Sequence, residues 1–217
     1  SDHAHRDAAE MNEMATWMLA ILDEAPEGEL LSAEDLLHLG PRAAVSRSLS
    51  SLCKRGELCR IYRGLYARRI TTRFGSRGPS IYYLIDAVVR RTGELIVSDG
   101  GKCANRLHLS LHVPMQEIFL TSGSTRVLTI GRGQLQLRHS RCWSLSLGVG
   151  IVGEAARAVQ WCGQADLPET LRRLQRTLTP VDWRAFCACK AQFPEWMATG
   201  VAQYLAIDSC SNSPGAV

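Results

Sequence analysis

Apolar positions recur at helical spacing through residues 10–25, where Met14, Trp17, Met18, Ile21 and Leu22 share one stripe among acids and amides. This predicts a first helix whose methionines and tryptophan pack in a core rather than hold a cofactor. Residues 31–66, LSAEDLLHLGPRAAVSRSLSSLCKRGELCRIYRGLY, carry the most specific pattern. Ser32 followed by Asp35 predicts an N-cap hydroxyl and a first-turn carboxylate ahead of Leu36, Leu37 and Leu39, and Gly40 then Pro41 predict a sharp stop and a new start. Over residues 41–55 a second helix places Val45, Leu49, Leu52 and Cys53 on an apolar stripe and Arg42, Ser46, Arg47, Ser50 and Lys54 on other faces. Gly56 closes it, and residues 57–69 alternate as a hairpin turning at Gly64. Helix, turn, second helix and basic ribbon, in that order, outline a winged helix-turn-helix.

Residues 70–79, ITTRFGSRGP, break the periodicity and predict a linker or the exit from the ribbon. A helix over residues 80–92, ended by Gly93, a strand-like run at 95–97, a short helix at 100–107 and a loop at 108–114 follow. Alternating runs at 118–120, 127–130, 135–138 and 142–147, with glycine-bearing turns between them, predict a small antiparallel sheet. The remainder reads as helices over 150–161, 167–178, 180–192 and 194–206, with Pro168, Pro180 and Pro194 near their starts and a polar tail from Asp208. The expected architecture is α+β: a winged helix-turn-helix over residues 1–72, then a C-terminal domain over residues 80–210 with its sheet at about 95–147 and a helical bundle at about 150–207.

Charge sharpens this reading because it is segregated. Residues 1–41 hold one arginine against ten acids, net −9, whereas residues 42–91 hold twelve Lys and Arg against Glu57 and Asp86, net +10. The whole-chain value of +4 conceals that split. A basic block starting at the second helix is the electrostatic footprint of a polyanion binder. The acidic segment reads most simply as a solvated helix face, with screening of the basic surface as the alternative.

A hydrophobic content of 46% over 217 residues suffices for two compact domains. No apolar run is long enough for a membrane span and no secretory signal is visible, so a cytoplasmic location is expected. The eight cysteines are scattered, form no CxxC pair, and read as reduced core thiols.

From Gly101 to Ser140 the chain resembles the AbiEi-type antitoxins of bacterial type IV toxin–antitoxin, or abortive infection, systems and related families of the same architecture. The resemblance lies in Ala104-Asn105-Arg106-Leu107, Val113-Pro114 and Leu120-Thr121-Ser122-Gly123, in order and at matching spacing, together with the basic segment DLLHLGPRAAVSRSLSSLCKRGELCRIYRGLYA. His108 and His112 depart from the small or amide residues more usual in those families. The resemblance implies an antitoxin that binds operator DNA, alone or as a dimer, represses its own operon, and counters a cognate nucleotidyltransferase-like toxin through its C-terminal domain.

The residues expected at DNA are Arg42, Ser46, Arg47, Ser50 and Lys54 on the second helix and Arg60, Arg63 and Tyr66 on the ribbon, with Tyr62, Arg68 and Arg69 beside them. Arg106, Arg126, Arg132 and Arg138 form a second candidate surface, for the toxin or for nucleic acid. His108 and His112 would lie about 13 Å apart in an extended segment, too far for one ion. No nucleophile–base order or carboxylate cluster supports an enzyme, and no cofactor is called for. A stand-alone repressor and a protein-interaction module without antitoxin activity remain as alternatives.

Overall fold

The computed structural model describes residues 2–113, 115–141 and 143–211, with side chains described between Asn12 and Asp208. The chain is a mixed α+β protein with small antiparallel sheets, divided into two compact units. One unit runs to Glu94 and takes in Arg126–Gln136; the other comprises Leu95–Thr125 and the chain from Leu137 onward. The helix over residues 80–92 and the hairpin at 126–136, both expected in the second domain, thus group with the first unit.

The first unit starts with α1 (Asp2–Glu24), which extends further toward the N-terminus than its apolar stripe predicts. Next come β1 (Leu30–Ser32), a 3-10 turn (Glu34–Leu39), α2 (Arg42–Lys54), β2 (Leu58–Tyr62) and β3 (Leu65–Arg68). β1 is too short to announce itself, yet it pairs antiparallel with β3, Leu31 opposite Tyr66, giving a three-stranded sheet in the order β1–β3–β2. Met18, Leu22, Leu31, Leu36, Val45, Leu49, Leu52 and Leu58 form the buried core. Residues 70–79 are not a plain linker: β4 (Ile70–Thr72) and β5 (Gly75–Arg77) pair as an antiparallel hairpin before α3 (Ile81–Thr92). α3 ends at Gly93, whose left-handed φ of 71° a residue with a Cβ would tolerate poorly.

β6 (Ile96–Ser98), α4 (Gly100–Arg106), β7 (Glu117–Thr121), β8 (Arg126–Ile130) and β9 (Gly133–His139) follow. The four strands form one sheet in the order β6–β7–β9–β8, so β6 joins the three runs predicted between residues 117 and 139. The fourth alternating run is no strand. Residues 143–146 make a single helical turn, α5 (Trp143–Ser146), in which the adjacent Ser144 and Leu145 are both buried, as pleated alternation would forbid; Cys142 lies outside the described residues.

α6 (Ile151–Cys162), α7 (Leu167–Thr177), α8 (Pro180–Ala188) with a 3-10 turn to Gln192, and α9 (Glu195–Ser211) complete the second unit. Helix starts follow local chemistry: the Asp99 carboxylate accepts from the Lys102 amide to cap α4, and the Thr179 hydroxyl accepts from the Asp182 amide to cap α8. Around Phe186 the rings of Trp183 and Phe193 pack at centroid distances of 5.6 and 5.1 Å. α4 lies so close to α6 that a Cβ on Gly100 would stand 2.7 Å from the Arg157 carbonyl. The Arg157 side chain, 2% exposed, donates to the carbonyls of Ser144 and Gly148, both at 2.9 Å, and so closes the end of α5. Arg157→Ala leaves those carbonyls unmet and a void behind them. It is expected to destabilise the second unit by about 3 kcal/mol, read as a lower chemical denaturation midpoint.

Candidate nucleic-acid interface

Asp35 organises the entry to α2, in a manner the N-cap expectation inverts. Ser32 ends β1, and both its amide and its hydroxyl donate to the Asp35 carboxylate, at 2.7 and 2.8 Å. The hydroxyl therefore caps no helix amide; the carboxylate reaches back instead. Arg91 of α3 pairs with the same carboxylate at 2.9 Å and donates to the Ser32 hydroxyl at 2.8 Å and to the Leu30 carbonyl at 3.3 Å. Burial alone would raise the Asp35 pKa, but the Ser32 donors and the Arg91 guanidinium outweigh it and hold the carboxyl below its ordinary value. β1, the 3-10 turn and α3 thereby meet at one charged node. Gly40 ends the turn with its amide on the Leu37 carbonyl, and Pro41 stands at the N-cap of α2.

On α2 the buried face is Val45, Ser48, Leu49 and Leu52. Cys53, expected there, is half-buried at the margin, and Ser48 takes a core place with its hydroxyl on the Met14 sulfur at 3.6 Å. Arg47, Ser50 and Lys54 are exposed at spacings of three and four, directly opposite that face, and the Ser50 hydroxyl donates to the Ser46 carbonyl. Arg42 and Ser46 flank the stripe. They line a cleft of about 440 Å³ whose far side is Arg63 and Tyr66, with Arg91 and Glu34 at its edge. Arg60 is exposed on β2 and Arg63 in the β2–β3 turn, while Tyr66 is half-buried against the core. One unit therefore carries all eight residues expected at DNA, in two groups: the outward stripe of α2 with Arg60, and the cleft.

On α1 Glu13 and Glu24 are exposed and make no ion pair among the described residues, as a solvated face would have them, but from Asp23 onward the other acids of the segment pair with arginines. Asp23 pairs with Arg68, Glu27 with Arg77, Glu29 with Arg90, Glu34 with Arg42 and Asp35 with Arg91, at distances from 2.9 to 3.3 Å. Glu57 takes Arg55 at 2.6 Å. What survives this internal neutralisation is selective: among the described residues of the first unit Arg47, Lys54, Arg60, Arg63, Arg73 and Arg132 make no ion pair and no side-chain hydrogen bond. The Arg42–Glu34 pair is about two-thirds exposed on both sides, which makes it weak and easily exchanged. Arg91 escapes sequence reasoning because its partner Asp35 lies 56 positions away in the chain.

With the fold and this charge arrangement established, comparison with known proteins gives a family. Residues 18–180 match the family described as "Family of unknown function (DUF6088)". The chain belongs to this family. No curated protein and no solved structure matches it. The match to DUF6088 takes in the end of α1, the β2–β3 ribbon, the residues of both candidate surfaces and helices α2 through α7.

In this DUF6088 chain the four arginines of the second candidate surface differ in their surroundings. The Arg126 side chain is only 10% exposed and donates to both carboxylate oxygens of Glu94, at 3.1 and 2.9 Å, so it is an internal tie rather than a surface cation. Arg106 is paired with Glu154. Arg132 and Arg138 are exposed but belong to different units. His112 stacks on Trp161, and the His108 carbonyl accepts from Arg173. Among the described residues no three His, Cys, Asp or Glu are placed to hold a metal ion, and no helix is long and apolar enough to cross a membrane. The six described cysteines are unpaired, and burial raises the thiol pKa of five of them, that of Cys187 to about 11.

Because the folded pKa of Asp35 lies below its unfolded value, its stabilisation is complete above the ordinary carboxylate range and is lost as pH falls through the depressed value. Asp35→Asn is expected to cost the first unit about 1–2 kcal/mol near pH 7. It should also flatten the acid limb of the stability curve, measured by urea unfolding at about pH 7 down to about pH 3.

Proposed function

We propose that the first unit is a winged helix-turn-helix that binds duplex DNA, with α2 in the major groove and the β2–β3 ribbon as its wing, and that the chain is an antitoxin and autoregulator of the AbiEi type. Two features support the DNA reading. The order of helix, short strand, helical turn, helix and two-stranded ribbon, with the sheet order β1–β3–β2, supports the winged helix-turn-helix reading. The observation that carries it is the charge sorting: among the cations left without ion pairs are Arg47 and Lys54 on the outward stripe of α2 and Arg60 and Arg63 on the ribbon, all eight residues expected at DNA lying in this one unit. Arg47 and Ser50 then face base edges, Arg60 and Arg63 face phosphates, and a backbone phosphate exchanges with Glu34 for Arg42 at the cleft. The antitoxin reading is supported by the motif resemblance between residues 101 and 140, and it assigns the second unit to countering a nucleotidyltransferase-like toxin.

Fluorescence anisotropy with duplexes from upstream of the gene and scrambled controls tests the DNA reading. Affinity is expected to fall at least a hundredfold from about 50 to 200 mM salt. Arg47→Ala should reduce the preference for the cognate duplex by about 1–3 kcal/mol, whereas Arg63→Ala should weaken both duplexes alike and lower the salt slope by about one. Salt-insensitive binding, or wild-type binding by both variants, overturns the proposal. For the antitoxin role, the full chain should restore growth arrested by the adjacent nucleotidyltransferase-like gene, and Arg47→Ala should still do so while losing repression.

A further inference from the structure

We infer that the β4–β5 hairpin is a second DNA-contacting element, whose Arg73–Phe74 tip presses against base pairs in the minor groove of the bound duplex. This rests on the reading of the first unit as a DNA-binding unit. The hairpin adds nothing to the core: every residue from Thr71 to Arg77 is exposed and Ile70 is half-buried. Its base is nevertheless pinned. Glu27 accepts from Arg77 at 2.9 Å and from the Ser80 amide at 2.8 Å, an arrangement that lowers its pKa, chiefly through the Arg77 hydrogen bond. Arg69 donates to the Ser76 hydroxyl and carbonyl, at 3.0 and 3.2 Å, across the hairpin. At Gly78 the backbone lies so near β8 that a Cβ would stand 2.7 Å from the Ile130 side chain.

The tip is stiffened as well. The Thr72 hydroxyl donates to the Gly75 carbonyl at 2.9 Å and accepts from the Phe74 amide at 3.2 Å, and Gly75 turns with a φ of 115°. The two-residue loop so held presents a phenyl ring that is 86% exposed, with the Arg73 guanidinium over its face at 4.6 Å. A large ring held out on a fixed stem buries nothing in the protein and is built for contact elsewhere.

Charge says what it contacts. Residues 58–85 contain six arginines and not one acid; Arg68 and Arg77 are paired with acids from outside this stretch, and Arg60, Arg63, Arg69 and Arg73 make no ion pair among the described residues, so the hairpin springs from a stretch with net positive charge to spare, one residue after β3. A polyanion whose interior offers flat apolar faces fits this tip, and duplex DNA is such a ligand: phenylalanine wedges between base steps while arginine lies in the minor groove between phosphates. A connection serving only to join β3 to α3 needs neither the ring nor the pinned base.

The full chain is tested against its cognate duplex labelled with 2-aminopurine at successive steps, with Phe74→Ala, Phe74→Leu and Arg73→Ala beside Arg47→Ala. Phe74→Ala should weaken binding about tenfold with an unchanged salt slope, and should abolish a rise in 2-aminopurine fluorescence at one step. Phe74→Leu keeps an apolar wedge and should retain most of both signals. Arg73→Ala should lower the salt slope by about one. Because Phe74 touches no core residue, the variants should unfold at the wild-type temperature. If Arg47→Ala weakens binding but Phe74→Ala changes neither affinity nor fluorescence, the hairpin inference fails and the winged-helix reading stands. If the duplex is not bound at all, both fail.

Discussion

Carboxylate–arginine pairing within the first unit is the constraint from which its surface follows. Asp23, Glu27, Glu29, Glu34 and Asp35 come from the end of α1 and the segment leading to α2, and each takes an arginine from residues 42–91. The node of Ser32, Asp35 and Arg91 is the most cross-linked of these, fixing β1, the 3-10 turn and α3 together. Its neighbours are largely exposed pairs, weak one by one. Their collective effect is to settle which cations are spent inside the unit and which face solvent uncompensated. The charge that remains available is therefore far smaller than the composition of the basic block suggests, and far better localised.

The second unit is held by different physics. Close backbone approach at Gly100 and Gly153, where a Cβ on Gly153 would stand 2.5 Å from the Gly148 carbonyl, brings α4 and the loop after α5 onto α6. Arg157 then lies inside the unit, satisfied by carbonyls rather than by a carboxylate, with its Nε unpartnered. A buried guanidinium is stabilising only where such acceptors are fixed, so the geometry of residues 144–148 and the identity of residue 157 depend on each other. The aromatic cluster around Phe186 supplies the apolar remainder.

Much of this was legible in the chain. The stripe Val45, Leu49, Leu52 fixed α2 and its outward face, the Gly40-Pro41 and Gly56 boundaries fixed its ends, and the glycine-bearing turns located β7, β8 and β9. β1 was not legible, because three residues carry no periodicity and Leu30–Ser32 becomes a strand only by pairing with β3. The run at 142–147 alternates like a strand, yet α5 forms within it, with Arg157, from a helix further along the chain, donating to the Ser144 and Gly148 carbonyls. The β4–β5 hairpin hid behind glycines and a proline that usually mark a linker.

The sequence by itself determined the α+β character, the placement of most helices, the separation of acidic from basic stretches and the set of cations from which an interface could be drawn. Periodicity and charge are local properties, and they are written residue by residue. Tertiary structure alone decided which of those cations are neutralised. Glu34 finds Arg42 eight positions away, whereas Glu27 finds Arg77 and Asp35 finds Arg91 across more than forty, and Glu94 removes Arg126 from the surface altogether. Ion pairing falls steeply with distance in space and is indifferent to distance along the chain, so only the fold could separate unpaired cations such as Arg47, Lys54, Arg60, Arg63 and Arg73 from the paired ones.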